Sequence, residues 1–339
     1  MKLPDVYRRF ASFEARGESE CYVRWAEGVA GDPELLALID ELGGVRRQPQ
    51  LVFAAARLVG ITPRPFEAFR AELVARWPDV RRVALSRRNQ TNEVGRCSAL
   101  LPVLAALPPP LALLEVGCSA GLCLYPDRYS YRYGDLPWLH PDSGPSPVRL
   151  TCAVSGSPPV PARLPEVVWR AGIDVNPLDV TSADDMRWLE CLIWPGQDHR
   201  RDRLAAAVAL ARPDPPRLVR GDLTERLPEV AAQAPAGATL VVLHSAVMAY
   251  LDPAARTAFT TAVRDLGCRW AAMEGPSVAP LLGGPAPPSP DPSTALFVVE
   301  ADGVPVAYAG GQGQSLHWPG NPERVSSRRE NQGRDGRQT

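Results

Sequence analysis

The apolar positions of the chain change their period twice. From Val6 to Leu107 they recur at helical spacing. Val6, Phe10 and Phe13 lie three or four residues apart, and Leu35, Leu36, Leu38, Ile39 and Leu42 form a stripe that stops at Gly43-Gly44. Pro63, Pro65 and Pro78 interrupt the stretch, and nothing in it alternates as a strand would. Beyond Pro110 strand-like stretches take over: Leu111 to Glu115, Val167 to Asp174, Leu218 to Leu223, the continuous apolar run Ala238 to His244, and Trp270 to Glu274. Runs of this length suit strands buried on both faces. Between them, Thr181 or Ser182 opens a helix toward Ile193, Asp198 to Ala211 reads as a second with its arginines on a solvated face, and Asp252-Pro253 opens a third. Strands alternating with helices predict a parallel sheet. At the end, Leu296 to Glu300 and Val304 to Tyr308 flank Asp302-Gly303, a hairpin signal. The alternation of Tyr129, Tyr131 and Tyr133, with Val148 and Leu150 after them, predicts a small antiparallel excursion with an exposed aromatic face.

The expected fold is therefore α/β: a Rossmann-like doubly wound, mostly parallel sheet with a C-terminal antiparallel hairpin, preceded by an N-terminal helical region. The expected boundaries are 1–107 for the helical region, 108–319 for the α/β domain with an insertion at about 125–165, and 320–339 for a charged, polar tail expected to be disordered.

The whole is organised around Leu111-Ala112-Leu113-Leu114-Glu115-Val116-Gly117-Cys118-Ser119-Ala120-Gly121-Leu122. An apolar strand ends at an acid and runs into small residues at alternating positions. Such a loop at a strand's carboxyl end is where open α/β sheets bind nucleotides. A carboxylate at that strand end sits poorly beside a pyrophosphate and well beside a cationic or hydroxyl-bearing ligand, which favours S-adenosylmethionine. The bland alternative is a tight connection with no ligand. Gly117-Cys118-Ser119-Ala120-Gly121 is also a Gly-x-Ser-x-Gly string, the nucleophile elbow of hydrolases.

Composition narrows the partners. Lys+Arg 37 against Asp+Glu 38 leaves a net charge of −1, so no global field attracts polyanions and nucleic acid is not supported. The seven cysteines are odd in number and contain no Cys-x-x-Cys, and the four histidines His140, His199, His244 and His317 are far apart, so neither a disulfide framework nor a metal site is expected. No basic-then-apolar leader and no long apolar span are present, and the expectation is a soluble cytoplasmic protein without membrane association.

The stretch from Glu115 resembles the first motif of class I S-adenosylmethionine-dependent methyltransferases, acid-x-Gly-x-x-x-Gly, with Ser119 where the stricter form has a glycine. Gly172-Ile173-Asp174-Val175-Asn176-Pro177 resembles their second motif, Gly221-Asp222 their third, and the strand ending at His244-Ser245 their fourth. The resemblance implies a methyltransferase-like core with S-adenosylmethionine as cofactor, held by Glu115, Gly117, Ser119, Gly121, Asp174, Asn176 and Asp222. It places His244, Ser245 and Tyr250 at the transferred methyl, His244 as a candidate general base. Asp174 follows Glu115 by 59 residues, against roughly 20 in a simple βαβ unit, and the tyrosine-rich insertion accounts for the excess.

The polar run Gln90-Thr91-Asn92-Glu93-Val94-Gly95-Arg96 precedes a helix expected from about Glu93 to Leu107. Thr91 or Asn92 could cap that helix. The run has more polar side chains than one cap needs, so Gln90, Asn92 and Glu93 are also candidates to line the pocket of a small-molecule acceptor. Together with Glu115 to Leu122, Asp174 to Asp179, Trp194-Pro195-Gly196-Gln197 and His244-Ser245, the run also resembles an uncharacterised, mainly bacterial family known only as a domain of unknown function. That resemblance spans roughly Phe10 to Trp318 and implies no activity. Two other readings stand beside the methyltransferase: a non-catalytic ligand-binding or interaction protein on the same fold, and a serine hydrolase using Ser119 with Asp174 and His244. A dinucleotide-dependent dehydrogenase is disfavoured by the missing central glycine.

Overall fold

The computed structural model describes residues 1–291 and 294–319. The tail expected over 320–339 lies outside the described residues. The helices are α1 (Leu3–Arg9), α2 (Glu20–Ala30), α3 (Pro33–Asp40), α4 (Pro49–Leu58), α5 (Phe66–Ala75), α6 (Trp77–Ser86), α7 (Cys97–Ala105), α8 (Ala183–Leu192), α9 (Asp198–Ala211), α10 (Leu223–Ala231) and α11 (Pro253–Asp265). The strands are β1 (Leu111–Val116), β2 (Ser130–Tyr133), β3 (Arg149–Gly156), β4 (Val167–Asp174), β5 (Arg217–Arg220), β6 (Thr239–Ser245), β7 (Arg269–Glu274), β8 (Leu296–Ala301), β9 (Val304–Gly310) and β10 (Ser315–Trp318). None of the described helices is long and apolar enough to cross a membrane.

The chain divides into two compact units. One holds Met1–Val94, Gly117–Tyr125 and Ala171–Arg226; the other holds Gly95–Val116, Pro126–Arg170 and the described chain from Leu227 onward.

In the first unit α2, α3 and α8 start where a side chain relieves the unpaired N–H groups of a helix end. Ser19 accepts from Tyr22 N–H at α2, Asp32 accepts from Glu34 and Leu35 N–H at α3, and Ser182 accepts from Asp185 N–H at α8. α4 packs against α6 and α8. An aromatic cluster of Tyr7, Phe10, Tyr22, Trp25, Phe53 and Phe69 fills the helical core, Trp25 stacking on Phe69 with ring centroids 3.8 Å apart. The end of β4 pairs in parallel with β5, Ala171 to Asp174 against Arg217 to Arg220.

In the second unit the strand order is β2-β3-β10-β9-β8-β7-β6-β1-β4. β1 pairs with β6 in parallel, as β6 does with β7. β8 and β9 then run antiparallel, turning at Asp302-Gly303 with φ 52° and 76°. β10 is antiparallel to β9 and parallel to β3. The sheet is mixed and mostly parallel, with antiparallel strands toward the C-terminus. Within this unit the parallel strands follow the order β4-β1-β6-β7, in which β1 is the strand where the order reverses. That is the order of doubly wound nucleotide-binding sheets.

Two local expectations are corrected. β2 pairs with β3 in parallel, and an isolated antiparallel bridge joins Tyr131 to Leu139. Tyr129, Tyr131 and Tyr133 are buried rather than exposed. The phenols are tolerated inside because their hydroxyls find carbonyls: Tyr131 donates to Pro126 O at 2.8 Å and Tyr133 to Ser98 O at 2.7 Å. The helix expected from Glu93 begins later, as a 3₁₀ turn over Val94–Arg96 followed by α7, which has no side-chain cap. Thr91 and Asn92 do not cap it, because both are engaged elsewhere.

Candidate functional site

In the first unit, the loop after β1 is built from left-handed residues: Gly117 at φ 68°, Ser119 at 52° and Gly121 at 69°. Ser119 has no glycine's freedom there, so its bonds must hold it. Its N–H donates to Asp174 Oδ2 at 2.8 Å and its Oγ to the Gln90 carbonyl at 2.8 Å. Its own carbonyl accepts from Leu178 N–H. Four further donors of the loop are consumed in the same way. Gly117 and Cys118 N–H donate to Ile173 O, Gly121 N–H to Cys118 O, and Leu122 N–H to Asn92 Oδ1 at 2.9 Å. Gly121 of the loop and Gly172 of β4 serve packing. A Cβ on Gly121 would come 2.7 Å from Pro216 Cγ, and one on Gly172 would come 2.5 Å from Cys118 Sγ.

Asp174, at the end of β4, is the centre of a hydrogen-bonded ring. Besides Ser119 N–H on Oδ2, its Oδ1 accepts from Asn176 N–H at 2.7 Å and from Gln90 Nε2 at 3.0 Å. Gln90 Nε2 also donates to Asn176 O at 2.7 Å, and Asn176 Nδ2 returns a bond to Gln90 Oε1 at 3.0 Å. Arg220 Nη1 donates to Asn176 Oδ1 at 3.0 Å. The structure thus brings Gln90, Ser119, Asp174 and Asn176 together. It leaves Asp222 outside the ring: this exposed side chain accepts from Thr224 and Glu225 N–H at the start of α10.

Glu93 goes to a different partner. Its buried carboxylate accepts from Arg200 Nε at 2.6 Å and Arg203 Nη2 at 2.7 Å, and Arg200 Nη1 reaches Gln197 Oε1 at 2.6 Å. Thr91, Asn92, Glu93, Arg200 and Arg203 are among the residues around a small pocket floored by Leu189, Ile193 and Leu204. The arginines of α9 read as a solvated face in the sequence, and Arg200 corrects that. It lies on the apolar stripe of Leu204, Ala207, Val208 and Ala211, and this register was the available signal.

In the second unit Glu115 is buried at the end of β1. His244, near the end of β6, is completely buried. Its Nδ1 lies 2.7 Å from Glu274 Oε1, which also accepts Val247 N–H at 2.9 Å. Its ring packs edge-on against Phe259 with centroids 5.4 Å apart, and Nε2 has no partner. Glu300 lies in the same row of strands, paired with Ala272, which pairs with His244. Burial pushes its carboxyl up to about 7, with Glu274 adding to the rise while Leu281 N–H and His244 oppose it. Ser245 is fastened by Arg96, whose Nη1 donates to both its carbonyl and its Oγ at 3.2 Å. Tyr250 stands in a 3₁₀ turn, 51% exposed. Glu274 and Glu300 carried no sequence signal beyond an acid closing an apolar run. Among the described residues no group of three or more His, Cys, Asp or Glu could hold a metal ion.

Strand order and loop together define an α/β protein with a Rossmann-like sheet. The chain belongs to the family described as "Uncharacterized protein conserved in bacteria (DUF2332)", whose model matches residues 4–318. No curated protein and no solved structure matches it.

Proposed function

We propose that this protein binds S-adenosylmethionine and passes its methyl group to a small-molecule acceptor. The observation that carries the reading is the parallel order β4-β1-β6-β7 with a carboxylate, Asp174, closing β4. Sheets of this order bind nucleosides and nucleotides, with an acid at a strand end taking the ribose hydroxyls.

The chemistry of the first unit suits such a group. Asp174 and the Asn176 carbonyl are acceptors for a vicinal diol, and Ser119 N–H and Asn176 N–H already hold the carboxylate in place. Asp174 Oδ1 also carries the Gln90 amide, so a ribose takes that position only as the amide leaves. Bound, the cofactor supplies an electrophilic methyl group. The protein's part is to align an acceptor with it and exclude water. No proton transfer is assigned to His244, which is shut in with Glu274.

A second reading, a non-catalytic binding protein, is favoured by the loop itself, since most of its N–H groups are consumed internally. The hydrolase reading has less support, because the Ser119 hydroxyl donates to a carbonyl and not to a base. Titration calorimetry with S-adenosylmethionine, S-adenosylhomocysteine and NAD separates these. Binding of the first two and not of NAD is expected. No heat from either sulfur compound at millimolar concentration overturns the methyltransferase and leaves the binding protein.

A further inference from the structure

We infer that the side chain of Gln90 is a latch: it occupies the place of a ligand's vicinal hydroxyls on Asp174 and is displaced when that ligand binds. The inference rests on the reading proposed above and deepens it. The two hydrogens of one amide nitrogen are divided between Asp174 Oδ1, at 3.0 Å, and Asn176 O, at 2.7 Å. Two adjacent hydroxyls of a ribose would meet the same pair of acceptors. The amide oxygen takes the Asn176 Nδ2 donor at 3.0 Å, so the latch is satisfied at both ends.

Gln90 is half-buried while Asp174 is 7% exposed, so of the two residues it is the one covering the carboxylate that has access to solvent. The carboxylate does not depend on the latch for its orientation. Ser119 N–H at 2.8 Å and Asn176 N–H at 2.7 Å hold it from the main chain. Release also needs little backbone movement. The Gln90 carbonyl is held by Ser119 Oγ at 2.8 Å, and its neighbours Asn89 and Thr91 are both tied to Gln50. Rotation of the Gln90 side chain alone uncovers Oδ1. Affinity for a protein that must first open is reduced by the fraction open, and removing the latch restores it.

The experiment is titration calorimetry of S-adenosylhomocysteine against the full-length protein and Gln90→Ala, with the side-chain amide signal of Gln90 followed by NMR in the wild type. The variant should bind about tenfold more tightly, and adding S-adenosylhomocysteine to the wild type should move that signal toward the position of a solvated glutamine amide. Equal or weaker binding by the variant, with the wild type binding, overturns the latch and leaves the cofactor reading standing. Binding by neither overturns both. If Gln90→Ala does not fold, as judged by circular dichroism, the amide signal in the wild type decides: an unchanged signal on ligand addition overturns the latch.

Discussion

Glu300 has no exposed surface, and one of its carboxylate oxygens has no partner. Its carboxyl, ordinarily near 4.5, is pushed up to about 7 by burial. The folded state therefore holds the proton more tightly than the unfolded chain. The contribution of this residue is most favourable below about pH 4.5 and is lost progressively as pH rises to about 7. Glu300→Gln removes the charge that folding disfavours. In urea unfolding the variant should match the wild type near pH 4 and exceed it at pH 8 by on the order of 2 kcal/mol. Equal stability at pH 8 would show that the buried group is solvated by other means. Glu93 presents the opposite case, an acid that keeps two cations company in the interior. Glu93→Ala leaves two guanidiniums facing each other without a counter-charge. Breaking a buried pair costs about 3 kcal/mol or more, so the midpoint of urea unfolding should fall markedly. A loss below ~1 kcal/mol would mean the arginines turn out to solvent.

At the scale of elements, the connection from β1 shows how far a motif can be read. Its existence, its glycines and its place after a buried strand are all legible in residues 111–122. The use of those glycines is not. Missing side chains make room for a ligand or for a neighbouring element equally well; here Gly121 makes room for Pro216, and Gly172 of β4 makes room for Cys118 of the loop. Gly172→Ala should cost about 1–3 kcal/mol by overpacking. In the double variant with Cys118→Ala the cost should fall only partly below the sum of the single effects, because the sulfur at 2.5 Å is removed while Cys118 Cβ at 2.7 Å and Leu218 Cδ2 at 2.9 Å remain. Additive losses would place the strain elsewhere. The run Gln90 to Glu93 makes the same point. Its excess of polar side chains over what one helix cap requires is visible in the sequence. Its division between Asp174, the loop at Leu122 and the arginines of α9 is not.

At the scale of the molecule, the strand-like stretches located β1, β4, β5, β6 and β7 and the Asp302-Gly303 turn located the β8–β9 hairpin, because period and turn chemistry are properties of neighbouring residues. The helical N-terminal region, the strand-terminal acids and the near-neutral charge were determined in the same way. What the tertiary structure alone decided is pairing over distance. Strand order, the burial of the three tyrosines, the ring of Gln90, Ser119, Asp174 and Asn176, and the burial of His244 with Glu274 depend on which segments meet across tens of residues of chain. A buried carboxylate or imidazole keeps its place only where a partner comes within hydrogen-bond distance, and local sequence carries no record of that partner.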